Sequence, residues 1–175
     1  MKRIVAVADT HLKTWKIPEK LAKLMDDADA IIHAGDFDRY AVYRKFADYE
    51  LVAVAGNEDD DRIKEELPEV ATLKVDGVKI GVTHRGNYLN HFHDLGYRAL
   101  ELGVDLLVFG HLHRFVLERA KNVLLLCPGS PTQPRLSAAS CAEIIVNGRK
   151  VDVKYHVVQP LFCGIDVIER MEGSS

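Results

Sequence analysis

The stretch TLKVDGVKIGVTH (Thr72 to His84) divides the chain into two styles of secondary structure. Asp76-Gly77 sits between two alternating runs, and an Asp-Gly pair in that setting is the strongest short-range signal for a tight β-hairpin. Upstream of it, Ile4 to Ala8, Ala30 to Ala34 and Leu51 to Ala55 read as short buried strands. Helices over 18–25, 39–47 and 62–67 follow them in turn. The first opens on Pro18 with Leu21 and Leu24 on one face, the second turns Tyr40, Tyr43, Phe46 and Ala47 inward, and Pro68 ends the third. This βαβαβ rhythm implies parallel strands covered by helices. Downstream, a helix over 92–102 and a strand over 104–109 precede two antiparallel pairs, FVLERAKNVLLLCPGS (115–130) and CAEIIVNGRKVDVKYHVV (141–158), the second turning at Asn147-Gly148. Two mixed sheets packed face to face, with helices outside, accommodate both halves.

The 175 residues, 47% hydrophobic and 28% charged, fit one soluble domain. A chain of that length buries roughly 70% of its unfolded surface without staples. A domain is expected over 1–158, followed by a C-terminal tail over 159–175 that shows no clear pattern and is expected to be partly disordered. The net charge of −3 provides no global basic field for membrane or long nucleic acid, although a local site can still bind anions. Cys127, Cys141 and Cys163 are widely spaced and odd in number, which is neither a disulfide framework nor a Cys-x-x-Cys pair. The apolar start is too short for a signal peptide, and no run approaches the roughly 18 residues of a membrane span. A cytoplasmic protein is expected, without a membrane partner; self-association is left open.

Each buried run ends in polar residues. Strand one delivers Asp9 and His11, the second Asp36 after Gly35, the third Asn57 after Gly56. The hairpin return strand ends at His84, and the 104–109 run breaks at Gly110 to present His111 and His113. The carboxyl ends of strands are where α/β sheets bind ligands. Singly, an Asp after a strand is an ordinary cap and a lone His an ordinary half-buried side chain. Five such strand ends together point to a site. Its seven donors are all N or O, with no thiolate, and are too many for one tetrahedral zinc. One bridging carboxylate and a bridging hydroxide would give about five bonds to each of two metals. Mixed imidazole and carboxylate donors suit Mn²⁺ first, with Ni²⁺, Fe or Zn²⁺ as alternatives, rather than Mg²⁺ or Ca²⁺.

The ordered series Asp-x-His, Gly-Asp, Gly-Asn, His, Gly-His-x-His resembles the calcineurin-like metallophosphoesterases, and most of all their compact bacterial and archaeal phosphodiesterase branch. The likeness runs from residue 1 to about 156 and includes the PGSPTQPR loop (128–135). It implies a four-layer αββα sandwich. It also implies that Asp9, His11 and His113 hold one ion, that Asn57, His84 and His111 hold the other, and that Asp36 bridges. Asp36, Asn57 and His84 would then be catalytic residues, with Asn57 also touching substrate. The expected reaction is hydrolysis of a small phosphodiester, by in-line attack of a metal-bridging hydroxide that expels an alcohol or phenol.

Glu58 occupies a position where some family members carry a His able to protonate the leaving oxygen, so diesters with good leaving groups are expected over alkyl monoesters. Arg85 replaces the Gly usual after the last strand-end His of the hairpin; it reads either as a phosphate clamp or as a solvated side chain. Arg135 has the same two readings, with a structural role ahead. Asp59 and Asp60 read as partners of the ligands or as a solvated acidic turn, and His33 as a buried supporting residue. His91 and His93, two apart at a helix start, are not a metal pair. The rival from another class is a protein-binding scaffold like the family's retromer subunit, whose metal site is degenerate; the complete donor set argues against it. A single-zinc barrel needs about 250 residues.

Overall fold

The computed structural model describes residues 1–86 and 91–159. Strand β1 (Lys2–Val7) shows how the layers form. Successive strand residues point to opposite faces. Ile4 and Ala6 face one side and Val5 and Val7 the other, and all four are at most 1% exposed. A strand covered on both faces must be apolar throughout, which is why it reads as a continuous run rather than an alternation.

The chain continues through α1 (Glu19–Asp26), β2 (Ala30–His33), α2 (Tyr40–Phe46), β3 (Leu51–Ala53) and α3 (Asp61–Glu66). Then come β4 (Val70–Val75), β5 (Val78–Thr83), α4 (His93–Leu102), β6 (Leu106–Val108), β7 (Phe115–Ala120), β8 (Val123–Pro128), β9 (Ser140–Asn147) and β10 (Lys150–Val157). One five-stranded sheet has the order β10-β9-β1-β2-β3 and the other β4-β5-β6-β8-β7. In the first, β1, β2 and β3 are parallel and β9 and β10 antiparallel. In the second, β5, β6 and β8 are parallel and β4 and β7 antiparallel edges.

Ile4, Ala6, Ile32 and Val54 meet Ile80, Val82, Val108 and Leu126 between the sheets. The outer face of the first sheet packs Val5, Val7 and Ile31 against Leu21 and Met25 of α1, Val42 and Phe46 of α2 and Ile63 of α3. The outer face of the second packs Leu107 and Leu125 against Leu95 and Ala99 of α4. The result is the expected four-layer αββα sandwich. Each fully buried Ile, Leu or Val contributes roughly 1.5–3 kcal/mol, so the three clusters dominate the stabilisation.

Two local expectations change. The inward stripe of α2 is Val42 and Phe46; Tyr40 and Tyr43 pack half-buried beside it, and Ala47 is the C-cap. The last hairpin turns one residue later than expected: Asn147 pairs with Lys150, which leaves Gly148-Arg149 as the loop, with Gly148 at φ 59. A glycine at the first position of a two-residue turn meets the demand for positive φ. The Asp76-Gly77 hairpin stands as read, with φ of 46 and 86. Cys163 and nearly all of the 159–175 tail lie outside the described residues. Among the described residues, no helix is long and apolar enough to cross a membrane.

Candidate metal centre

Register brings the strand ends to one level. Val7 pairs with His33, and His33 with Ala53, so Asp9, Asp36 and Asn57 follow three aligned ends of the first sheet. Val82 pairs with Val108 in the second sheet, so His84 and His111 follow two aligned ends there. Backbone hydrogen bonds then lock the loops. Asp9 N donates to Gly35 O (3.0 Å), His11 N to Asp36 O (3.0 Å) and Gly110 N to His84 O (2.7 Å). One of the bonds that join the two sheets is that of His111 N to the Asp9 carboxylate, at 2.8 Å to Oδ2. Two glycines permit this approach. A Cβ on Gly56 would fall on the Asp36 carboxylate, and one on Gly35, at φ +93, would lie 2.7 Å from His84 Nδ1.

The donors form two groups. Asp9, His11 and His113 offer atoms within 4.8 Å of one another, and so do Asp36, His84 and His111. Asn57 joins the second group through Oδ1, 2.8 Å from His84 Nε2. Asp36 stands between the groups. Its Oδ2 is 3.2 Å from His84 Nε2 and 3.5 Å from His11 Nε2, while its Oδ1 accepts from Glu58 N at 2.9 Å.

Hydrogen bonding on the far side of each ring fixes which nitrogen faces inward. His11 Nδ1–H donates to Asp38 Oδ1 (2.7 Å) and His113 Nδ1–H to Gln133 O (2.6 Å). Both Nε2 atoms therefore carry lone pairs when the rings are neutral, yet they lie 3.2 Å apart. His84 Nδ1–H donates to Ala34 O (2.7 Å), turning its Nε2 toward two further acceptors, Asp36 Oδ2 and Asn57 Oδ1. Acceptors converging on acceptors call for a shared proton or a cation between them, and neutral imidazoles with carboxylates are metal-ligand chemistry. The donor set fits divalent metal.

Burial and neighbouring charge shift the site's groups in both directions. Burial pushes the Asp9 carboxyl up to about 7, against the opposing pull of His84 and His11. Burial also lowers His111 and His113, which favours the neutral form that a metal ligand needs. For His84, burial pulls downward, but the hydrogen bond and charge of Asp36 outweigh it and leave the pKa raised. Asp36 is lowered correspondingly: burial works to raise it and the His84 contact overcomes that.

The supporting residues were less legible. Asp59, 3% exposed, accepts from three backbone N–H groups: Asp36 (3.0 Å), Asp38 (2.9 Å) and Gly56 (2.7 Å). It is the clamp joining the second and third strand ends. Asp60 caps α3 by accepting from Ile63 N at 3.0 Å. Thus neither is a solvated turn residue: Asp59 holds the ligand loops through its carboxylate, while Asp60 reaches the same loop through its backbone N–H, which donates to Asp38 O at 3.1 Å. Glu58 Oε1 accepts from Asn57 Nδ2 at 2.8 Å, which turns Asn57 Oδ1 toward His84. Asp38 and Gln133, partners of two ring nitrogens, were missed; the Asp-x-Asp spacing from Asp36 was the one available signal for Asp38. His33 is fully buried, accepts from Gly35 N at 3.2 Å and bonds Thr10 Oγ1 at 3.1 Å, supporting the first two loops.

The 128–135 loop is structural: Ser130 Oγ donates to Asp9 O (2.7 Å) and Arg135 N to His113 O (3.0 Å). Arg85 is exposed and lines a cleft of about 450 Å³ with Asn57, His84 and Arg98, the last unforeseen. His91 and His93 are both exposed.

Comparison with known proteins places this geometry. The model of the calcineurin-like phosphoesterase superfamily domain matches residues 1–147, and the chain belongs to that superfamily. It is 33% identical over 151 residues to a probable metallophosphoesterase of Methanocaldococcus jannaschii, covering 83% of this chain and 77% of that protein. It is 27% identical over 142 residues to a phosphodiesterase of the same organism, covering 73% and 82%. Among solved structures, Vps29 of Chaetomium thermophilum shares the fold with a TM-score of 0.75 at 19% identity, over 91% of this chain and 100% of that one.

Proposed function

We propose that the protein is a dinuclear-metal phosphodiesterase acting on small diesters. Asp9, His11 and His113 would hold one ion, Asn57, His84 and His111 the other, with Asp36 shared. The observation that carries this reading is the single oxygen, Asp36 Oδ2, set 3.2 Å from one imidazole group and 3.5 Å from the other. A pair of divalent ions, with Mn²⁺ first among the candidates, supplies Lewis acidity to phosphoryl oxygens and makes water acidic enough to act as a nucleophile near neutral pH.

The chain's own residues do the rest. Asp38 and Gln133 hold the His11 and His113 rings in orientation, and Glu58 holds the Asn57 amide. Glu58 is a carboxylate already engaged with Asn57, so it offers no imidazolium proton to an alkoxide. It also places negative charge where a dianionic monoester would approach. Both effects favour monoanionic diesters with good leaving groups, and a phosphodiesterase among the relatives supports the same reading.

The test is hydrolysis of bis(p-nitrophenyl) phosphate beside p-nitrophenyl phosphate, with added Mn²⁺, Ni²⁺, Fe²⁺ or Zn²⁺ and then with chelator. Diester turnover that exceeds monoester turnover and vanishes with chelator is expected. Tight metal binding with no turnover under any of these metals would sink the proposal in favour of a scaffold.

A further inference from the structure

The cleft beside Asn57 and His84 has a charge pattern that the metal ligands do not require. Lys64, Arg85 and Arg98 line this cavity of about 450 Å³, with Glu69 as the one carboxylate among its described lining residues. The three cations come from α3, the loop after β5 and α4, so helices from both outer layers contribute to one wall. Lys64 Nζ is held beside the ligand loop by donating to Asn57 O at 3.0 Å. Arg85 and Arg98 have no ion pair or side-chain hydrogen bond among the described residues. A second cleft of about 830 Å³ shares these two arginines and extends to His111, and the carboxylates of Asp94 and Glu101 lie on its walls. The two arginines are therefore shared by both clefts, one with Lys64 and Glu69 on its walls and the other with Asp94 and Glu101.

A diester phosphate seated on two divalent ions is already neutralised by them and gives no reason for three more cations nearby. Guanidinium forks match the geometry of a phosphate dianion and bind it bidentately. A volume of about 450 Å³ takes a nucleotide-sized group, and Ala55 and Leu67 add an apolar wall for its carbon skeleton. We infer that Arg85 and Arg98, with Lys64, form a subsite for a second phosphate carried by the esterified group. The preferred substrates are then small phosphodiesters bearing a further phosphate. This inference rests on the phosphodiesterase reading and narrows its substrate class.

A matched pair of substrates tests it: thymidine 5′-(p-nitrophenyl phosphate) and the same ester carrying a 3′-phosphate. The manganese-loaded protein should favour the phosphorylated ester by about tenfold or more in kcat/KM, mostly through KM. The R85Q/R98Q double variant should bring that ratio to about 1. Both residues are exposed, so the substitutions leave the core untouched. A ratio near 1 in the unaltered protein, or an unchanged ratio in the double variant, overturns the inference. Turnover of bis(p-nitrophenyl) phosphate, which has no second phosphate, reports the phosphodiesterase reading separately. Calorimetric binding of thymidine 3′,5′-bisphosphate against thymidine 5′-phosphate reads the subsite without turnover. A bisphosphate preference lost in R85Q/R98Q supports the subsite even if no ester is cleaved, and equal affinities overturn it even if diesters are.

Discussion

Five of the candidate ligands hold a backbone conformation that L-residues rarely adopt: Asp9 (φ 54), His11 (43), Asp36 (66), His111 (74) and His113 (56). Left-handed backbone at non-glycine residues costs roughly 1–2 kcal/mol each, and such outliers gather at functional sites where surrounding bonds over-determine them. Here the bonds come from the neighbouring loop in each case, as with His11 N to Asp36 O. Two predictions belong at this scale. Asp38→Asn should weaken metal binding about 10–100-fold by loosening the His11 ring, measured by competition with a chromogenic chelator; unchanged affinity would remove Asp38 from the site. Asp59→Ala strands three backbone donors at once, each costing roughly 1–3 kcal/mol. Its melting temperature should fall by about 10 °C or more, given about 2–4 °C per kcal/mol for a chain of this size.

At the scale of elements, neighbouring strands of the first sheet are tied by features that a single strand does not contain. Glu143 of β9 accepts from Arg3 Nε of β1 at 2.6 Å and bonds His156 Nε2 of β10 at 2.9 Å. Burial works to raise its pKa, but the bonds to His156 and Arg3 outweigh burial and hold it below the ordinary glutamate value. A depressed folded pKa contributes stability that is present above the unfolded value, near 4.5, and is lost as pH falls through the folded one. Melting temperature followed from pH 7 to pH 3 should therefore drop less steeply in Glu143→Gln than in the unaltered protein; parallel curves would contradict the assignment. The β7–β8 hairpin offers the opposite case. Its turn, Lys121-Asn122, has φ of 50 and 65 with no glycine. Replacing the pair by Asn-Gly supplies the residues this turn favours, and thermal melts should show a rise of a few degrees, from about 1 kcal/mol.

For the whole molecule, the ligands come from both sheets, so a metal pair would fasten one sheet to the other. Saturating Mn²⁺ at about 100 times its dissociation constant should add about 2.7 kcal/mol, visible as a higher melting temperature than in chelator. An identical melt in both conditions would mean that the groups do not bind metal in the folded state. Asp36→Ala should lose this shift together with bound metal, measured by elemental analysis after desalting.

Apolar run, turn pair and residue type are local properties, which is why strands, the Asp76-Gly77 hairpin and the polar side chains at the strand ends were legible in the sequence. Runs buried on both faces announce strands by composition, and Gly35, Gly56 and Gly110 mark where those strands stop. The ordered motifs also carried the family likeness, and with it the sandwich. What the chain alone left open was set by non-local register. Asp59 and Asp60 are adjacent acids, alike on paper, yet one clamps two strand ends and the other caps a helix. Arg98 faces the cleft because α4 packs on the second sheet where the loop after β5 ends. Residue chemistry is inherited from the sequence one position at a time. Which charges and lone pairs meet depends on two sheets converging, and only the folded chain decides that.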